Sequence, residues 1–273
     1  MTTLQALGYP ASVVMGLALG LTGGGGSILT VPILVYLFGI GALQATAYSL
    51  ALVGLVALWG AWGAYRSGDL HLHRALSFGV PGVAGVLLAR RVLLPLLPEA
   101  VSVFGMSLSQ NSLLLIAFSL LMLLASASMI RASRQTANSN ASAPIETPRS
   151  DVAFVLSGLA TGLLAGFVGA GGGFLIVPAL VNLGKLDMRQ AIGTSLFVIA
   201  LQSLIGVLTD FQALSQMDFG FFGIIVALAI VGMTFGTRLR THVPQARLKF
   251  GFGVFVLLMG SLILFQELRK GSL

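Results

Sequence analysis

Apolar stretches recur along the chain at roughly 8–22, 28–38, 44–65, 75–95, 112–130, 152–168, 174–183, 191–209, 219–237 and 248–266. Most are long enough for a membrane helix, which needs about 20 residues. Two are short. The stretches 28–38 and 174–183, at about 1.5 Å per residue, each cover only about 16 Å, roughly half a hydrocarbon core. One long polar stretch, Arg131 to Asp151, interrupts the series; its Ser, Asn, Ala and Pro content builds no core. The pattern predicts a first membrane unit over 1–131, a polar linker over 132–150 and a second membrane unit over 151–273.

Composition sharpens this. Hydrophobic residues make up 56% of the 273-residue chain and charged residues 8%, against about a quarter charged in a soluble domain. The net charge of +7 rests on too few side chains for a nucleic-acid partner; they sit at segment ends, where Lys and Arg orient a membrane protein. Trp59, Trp62 and Tyr65 precede Arg66 where a span is expected to leave the bilayer. There is no cysteine, which excludes disulfide, iron–sulfur and cysteine–zinc chemistry. The N-terminus lacks the positive region of a cleaved signal peptide, so the first apolar segment is expected to stay. The expected partner is the lipid bilayer, and the expected location is a membrane crossed many times.

The two units are copies. Gly16, Gly20, Gly23, Val31 and Pro32 match Gly162, Gly166, Gly169, Val177 and Pro178 at one constant offset, and Gln44, Ala45, Ser49 and Leu50 match Gln190, Ala191, Ser195 and Leu196. Each copy carries a glycine run, Gly23-Gly-Gly-Gly26 or Gly169-Ala-Gly-Gly-Gly173. Such interruptions in corresponding positions of two halves point to a transporter's substrate site.

Charge bears on topology. Were each broken segment a full crossing, the halves would be parallel. Arg66, Arg74, Arg131, Arg134, Arg149, Arg269 and Lys270 would share one side and the other eight basic residues the opposite one, 7 against 8 of 15. With each broken segment a re-entrant hairpin, every half has three crossings and the halves are inverted. Only Arg90, Arg91, Arg269 and Lys270 then lie on one side, leaving 15 − 4 = 11 on the other. The positive-inside rule favours this second arrangement, with both termini outside and the linker in the cytoplasm. Arg90 and Arg91 break the rule. The expected fold is therefore an all-α polytopic membrane protein of two inverted repeats, each a glycine-broken re-entrant helix pair plus three transmembrane helices.

Irregular backbone at membrane depth is tolerated where it lines a cavity, and glycine lets main-chain N–H groups approach a ligand. Helices starting near Ser27 and Gly173 would aim their N-termini at that cavity and favour an anion. The candidate substrate-binding residues are Thr22, Gly23, Gly24, Gly25, Gly26, Ser27, Gln44, Tyr48 and Ser49 in the first half. In the second they are Gly169, Ala170, Gly171, Gly172, Gly173, Gln190, Thr194 and Ser195. The spaced glycines Gly16/Gly20, Gly158/Gly162/Gly166, Gly232/Gly236 and Gly79/Gly82/Gly85 suit close helix packing instead. All eight carboxylates and all three histidines lie at segment ends or in loops, which argues against a cation substrate and a side-chain proton wire. His71 and His73 read as a solvated loop. No metal, cofactor or catalytic residue is expected.

These motifs resemble the sulfite exporter TauE/SafE family of bacterial permeases, over nearly the whole chain. Gly20-xx-Gly23-Gly-Gly-Gly26-Ser27-xxx-Val31-Pro32, its second-half counterpart ending in Val177-Pro178, and Ala191-Ile-Gly-Thr194-Ser195-Leu196 carry the likeness. The resemblance implies export or uptake of small sulfur-containing or organic anions, such as sulfite and sulfonates. Tyr48 stands where the second half has Thr194, a departure that narrows or walls one side of the site. The leading expectation is a secondary transporter exporting a small anion. An anion channel is the alternative. An intramembrane enzyme would need a nucleophile with a positioned base at depth, and the spans contain no such pair.

Overall fold

The computed structural model describes residues 3–98, 100–103, 106–138, 151–169, 171–210, 218–240 and 245–271. Every apolar stretch becomes a helix. The first half contains α1 (Thr3–Thr22), the short α2 (Gly25–Leu37), α3 (Ala42–Arg66), α4 (Leu72–Leu93) and α5 (Gln110–Asn138). The second contains α6 (Asp151–Val168), α7 (Gly173–Asn182), α8 (Met188–Val207), α9 (Phe219–Leu239) and α10 (Gln245–Gly271). Among the described residues 8 of these helices are long and apolar enough to cross a membrane, so this is a multi-pass membrane protein. Helix ends follow local chemistry: the Asp187 carboxylate accepts from Gln190 N–H at 2.8 Å, and the Asp218 carboxylate accepts from Gly220 and Phe221 N–H, supplying partners for orphan donors. Pro32 removes a donor inside α2, which changes there from a regular to a wider helical turn over Ile33–Leu37.

Two local details depart from the expected plan. The α4–α5 connection contains a small antiparallel β-hairpin, β1 (Ala100–Val103) with β2 (Met106–Ser109), pairing Ala100 with Ser109. Helix α5 also runs to Asn138, so residues 132–138 of the expected linker are helical; residues 139–150 lie outside the described residues.

The helices pack in corresponding pairs: α1 on α9, α6 on α4, α3 on α8 and α5 on α10. Without a hydrophobic driving force between membrane helices, close backbone approach must hold them, and small residues permit it. A Cβ on Gly16 would fall 2.0 Å from the Ala229 carbonyl oxygen, and one on Gly162 would fall 1.9 Å from that of Gly82. Gly158 faces Phe78, Gly162 faces Gly82 and Gly166 faces Val86, so α6 and α4 run parallel. Gly16 faces Ala229 and Gly20 faces Met233, so α1 and α9 do too. By contrast, Gly54 meets Leu204, Gly193 meets Ala64 and Gly206 meets Leu50, so α3 and α8 run antiparallel. Gly253 against Met129 and Gly260 against Met122 give the same sense for α5 and α10.

Each short helix doubles back on the helix before it. Gly26 packs on Met15 and Leu19, and farther along Phe38 covers Gly8 and stacks edge-on to Tyr9 at 5.6 Å. Gly172 likewise turns back onto Thr161 and Ala165. Helices α1–α2 and α6–α7 are hairpins with the glycine runs at their tips.

Candidate functional site

The two tips meet. A Cβ on Gly24 would lie 2.5 Å from the Gly173 Cα, and a Cβ on Gly173 would lie 2.4 Å from the Gly24 Cα. Only glycine in both places allows that approach. Gly171 borders both Val53 and Ile199, residues matched by the constant offset, so the second break sits against α3 and α8 together. Positive φ occurs at Gly23 (74°), Gly169 (74°), Gly171 (64°) and Gly172 (63°). Gly25 does not share it; a Cβ there would instead crowd the Thr22 hydroxyl at 2.8 Å. Ala170 lies outside the described residues.

The neutral donors divide. Thr22 Oγ1 donates to the Ala18 carbonyl and accepts from Gly25 N–H at 2.8 Å. Ser27 Oγ donates to the Gly24 carbonyl at 2.7 Å. Ser195 reaches across from α8, its hydroxyl within 2.5 Å of the Gly23 carbonyl and 2.8 Å of that of Ile192. These three lie at the first break. Ser49, the counterpart of Ser195, is fully buried and its Oγ has no hydrogen-bond partner.

Four other expected residues, Gln44, Tyr48, Gln190 and Thr194, make no side-chain hydrogen bond to the glycine runs among the described residues. Gln44 Nε2 donates to the Tyr48 hydroxyl at 2.9 Å along one face of α3. Thr194 Oγ1 accepts from His71 N–H at 3.1 Å, tying α8 to the start of α4. Gln190 sits half-buried in the first turn of α8.

Four buried polar residues with unpaired atoms were not among the site candidates: Thr30, whose Oγ1 has no partner, Arg90, Gln202 and Ser203. Gln202 and Ser203 stand side by side in α8, and Gln202 Oε1 and Nε2 and Ser203 Oγ have no partner. Ser203 Oγ faces Gly171. Arg90, which broke the charge rule, is only 6% exposed and pairs with Asp210. A polar pair inside the apolar run 191–209, and an arginine on the wrong side, were the available signals. Glu267 does lie near the end of α10, yet it is 1% exposed and accepts from the Tyr36 hydroxyl at 3.4 Å.

Ion pairs bind the loops at the other end. Asp69, after α3, meets Arg189 of α8 at 2.9 Å and Arg240, after α9, at 3.9 Å. Burial pushes the Arg240 guanidinium below its ordinary value, Asp69 pulls it back and Arg189 lowers it further. Exposed His71 and His73 join no cluster of three metal-ligand residues among the described residues.

Two broken hairpins meeting inside a bundle of membrane-length helices define the class, a polytopic membrane permease for a small-molecule substrate. The chain belongs to the family described as Sulfite exporter TauE/SafE, whose model matches residues 9–263. A probable membrane transporter protein of Xylella fastidiosa (strain 9a5c) is 30% identical over 263 residues, covering 93% of this chain and 92% of its own. The probable membrane transporter protein YdhB of Bacillus subtilis (strain 168) is 24% identical over 92% of this chain and 97% of its own. No solved structure matches the chain significantly.

Proposed function

We propose that the protein is a secondary transporter exporting a small anion, such as sulfite or an organosulfonate, across the bacterial cytoplasmic membrane, with the anion bound where the glycine breaks meet. The observation that carries this reading is the backbone contact between Gly24 and Gly173. Both residues open a helix, α2 or α7, and helix N-termini offer free N–H groups and partial positive charge to an anion. With no side-chain thickness between the tips the arrangement is occluded, and passage requires one hairpin to move against the other.

The membrane reading is of inverted halves with both termini outside. Supporting it, α3 and α8 occupy equivalent places and run antiparallel, as do α5 and α10. The Asp69–Arg189–Arg240 and Arg90–Asp210 pairs join helix ends and loops that parallel halves would hold on opposite faces. Cysteines introduced at Ser67 and Thr209 on this cysteine-free chain are expected to label from the cytoplasm and the periplasm respectively. Labelling of both from one face would sink the inverted arrangement.

A carrier rather than an enzyme is favoured by relatives named as transporters. A negative interior drives an anion outward with about 2.3 kcal/mol per charge per 100 mV, roughly a fiftyfold gradient for a monovalent anion. Proteoliposomes loaded with unlabelled sulfite are expected to accumulate radiolabelled sulfite transiently by counterflow. Flux without trans-stimulation would point to a channel instead, and flux that follows the pH gradient but ignores potential would replace uniport by proton coupling.

A further inference from the structure

Arg90 is a cation inside a membrane helix, a placement that usually marks a substrate path. Its side chain is 2% exposed, and it sits in the wider helical turn Ala89–Leu93 of α4, a distortion frequent at functional sites. The parallel register of α4 with α6, Phe78 by Gly158, Gly82 by Gly162 and Val86 by Gly166, carries Arg90 one turn onward to the level of the second glycine break. Nη1 is held by the Asp210 carboxylate. Nε and Nη2 are buried with no hydrogen-bond partner.

Those two nitrogens share one edge of the guanidinium, where two parallel N–H bonds match two oxygens of a single oxyanion. An unpaired charged donor edge in so dry a place is costly, and no acceptor for it stands among the described residues. Neighbouring helices add neutral groups in the same condition. Gly206 packs on both Val86 and Leu50, which puts Ser49 of α3 within a turn of this level, and Ser203 Oγ of α8 borders Gly171. Both hydroxyls are buried and unpaired.

We infer that Arg90 binds the transported oxyanion through its Nε–Nη2 edge at the second glycine break, with Asp210 holding the opposite end of the guanidinium. This rests on the transporter reading above and adds a charged, specificity-determining residue to an otherwise neutral site. The site is one-sided. Gly85, against Leu159 and Leu163, corresponds to Gly232, against Val13 and Leu17, so Arg90 corresponds to Thr237, whose hydroxyl is spent on the Thr234 carbonyl at 2.9 Å. Oxyanions that present two of their oxygens to this edge, such as sulfite and sulfonates, are therefore favoured over chloride, which cannot use both N–H bonds.

The test is transport of radiolabelled sulfite by reconstituted Arg90→Lys, Arg90→Gln and the double variant Arg90→Gln/Asp210→Asn, each checked for a monodisperse, cooperatively unfolding protein. Arg90→Lys keeps a charge but loses the fork, so the sulfite KM is expected to rise at least about tenfold while chloride competition becomes more effective. The double variant replaces the ion pair by two neutral amides; it is expected to recover thermal stability but not transport. Recovered transport in the double variant would overturn the inference and leave Arg90 as an internal ion pair. So would an unchanged KM in Arg90→Lys beside an active wild type. A wild type that carries neither sulfite nor methanesulfonate would remove the proposed function and this inference with it, a failure visible before any variant is measured.

Discussion

Thr22 and Ser27 flank the first glycine break; Val168 and Gly173 stand in the same places at the second. The first break closes on itself. Thr22 accepts from Gly25 N–H, Ser27 donates to the Gly24 carbonyl, and Ser195 covers the Gly23 carbonyl. One residue there, Gly23, has positive φ. The second break has three such glycines, 169, 171 and 172, and neither flanking hydroxyl. Ser203, which borders Gly171, is buried without a partner, and so are Ser49 and two nitrogens of Arg90 on the neighbouring helices. A buried polar group left unpaired costs about 1–3 kcal/mol, so two copies of one motif have come to differ in kind. Thr30 Oγ1, a turn into α2, is also buried and unpaired, so the contrast lies at the tips themselves, where the first has paired hydroxyls and the second has none.

The contact shared by both breaks should be the most sensitive point. Gly24→Val or Gly173→Val puts branched carbon where the opposing backbone lies within 2.5 Å. Either variant is expected to abolish sulfite counterflow, scored on protein that still inserts and elutes as a single species. Wild-type flux in either would remove the tip-to-tip contact from the pathway and with it the reason to compare the breaks.

The ten apolar runs and their hairpin grouping were legible because hydropathy and glycine spacing report directly on helix length and interruption. What could not be read were the facings. A membrane helix that is apolar on all sides carries no stripe to say which side meets a neighbour. Hence nothing in the chain announced that Thr194 would turn to His71, or that Gln44 would be taken up by Tyr48. Arg90 was visible as an exception to the charge rule, but Asp210, its partner 120 residues away, is recoverable only from packing. The hairpin at 100–109 has a related cause, since short strands between spans rest on local pairing that hydropathy does not register.

The paired serines test the comparison at smaller amplitude. Ser195→Ala loses the one hydroxyl donor shared by the Gly23 and Ile192 carbonyls and uncovers the former, so it is expected to lower unfolding stability by about 1–3 kcal/mol. Ser49→Ala deletes a hydroxyl that no protein group uses. Its stability should stay within about 0.5 kcal/mol of wild type, while the sulfite KM rises roughly two- to tenfold, the loss of one neutral hydrogen bond to the anion. Thermal unfolding in detergent and flux in proteoliposomes read the two effects separately. Equal stability losses from both serines would mean that Ser49 has a structural partner after all, and the two breaks would again look alike.

Exchanging the flanking residues gives the finest test. Thr22→Val makes the first tip resemble the second and strips the Gly25 N–H of its acceptor; the expected outcome is a stability loss of about 1 kcal/mol with the sulfite KM unchanged. Val168→Thr is the converse. Val168 is 6% exposed at the end of α6, and the constant offset places a threonine hydroxyl there as an acceptor for the Gly171 N–H, as Thr22 serves Gly25. That hydroxyl would compete with an anion for the same donor. Val168→Thr is therefore expected to hold or slightly raise stability while raising the sulfite KM by a few-fold, since one neutral hydrogen bond is worth about 0.5–1.5 kcal/mol. The opposite pattern, a KM shift from Thr22→Val and none from Val168→Thr, would move the binding surface to the first break and leave the unpaired groups around the second without a ligand.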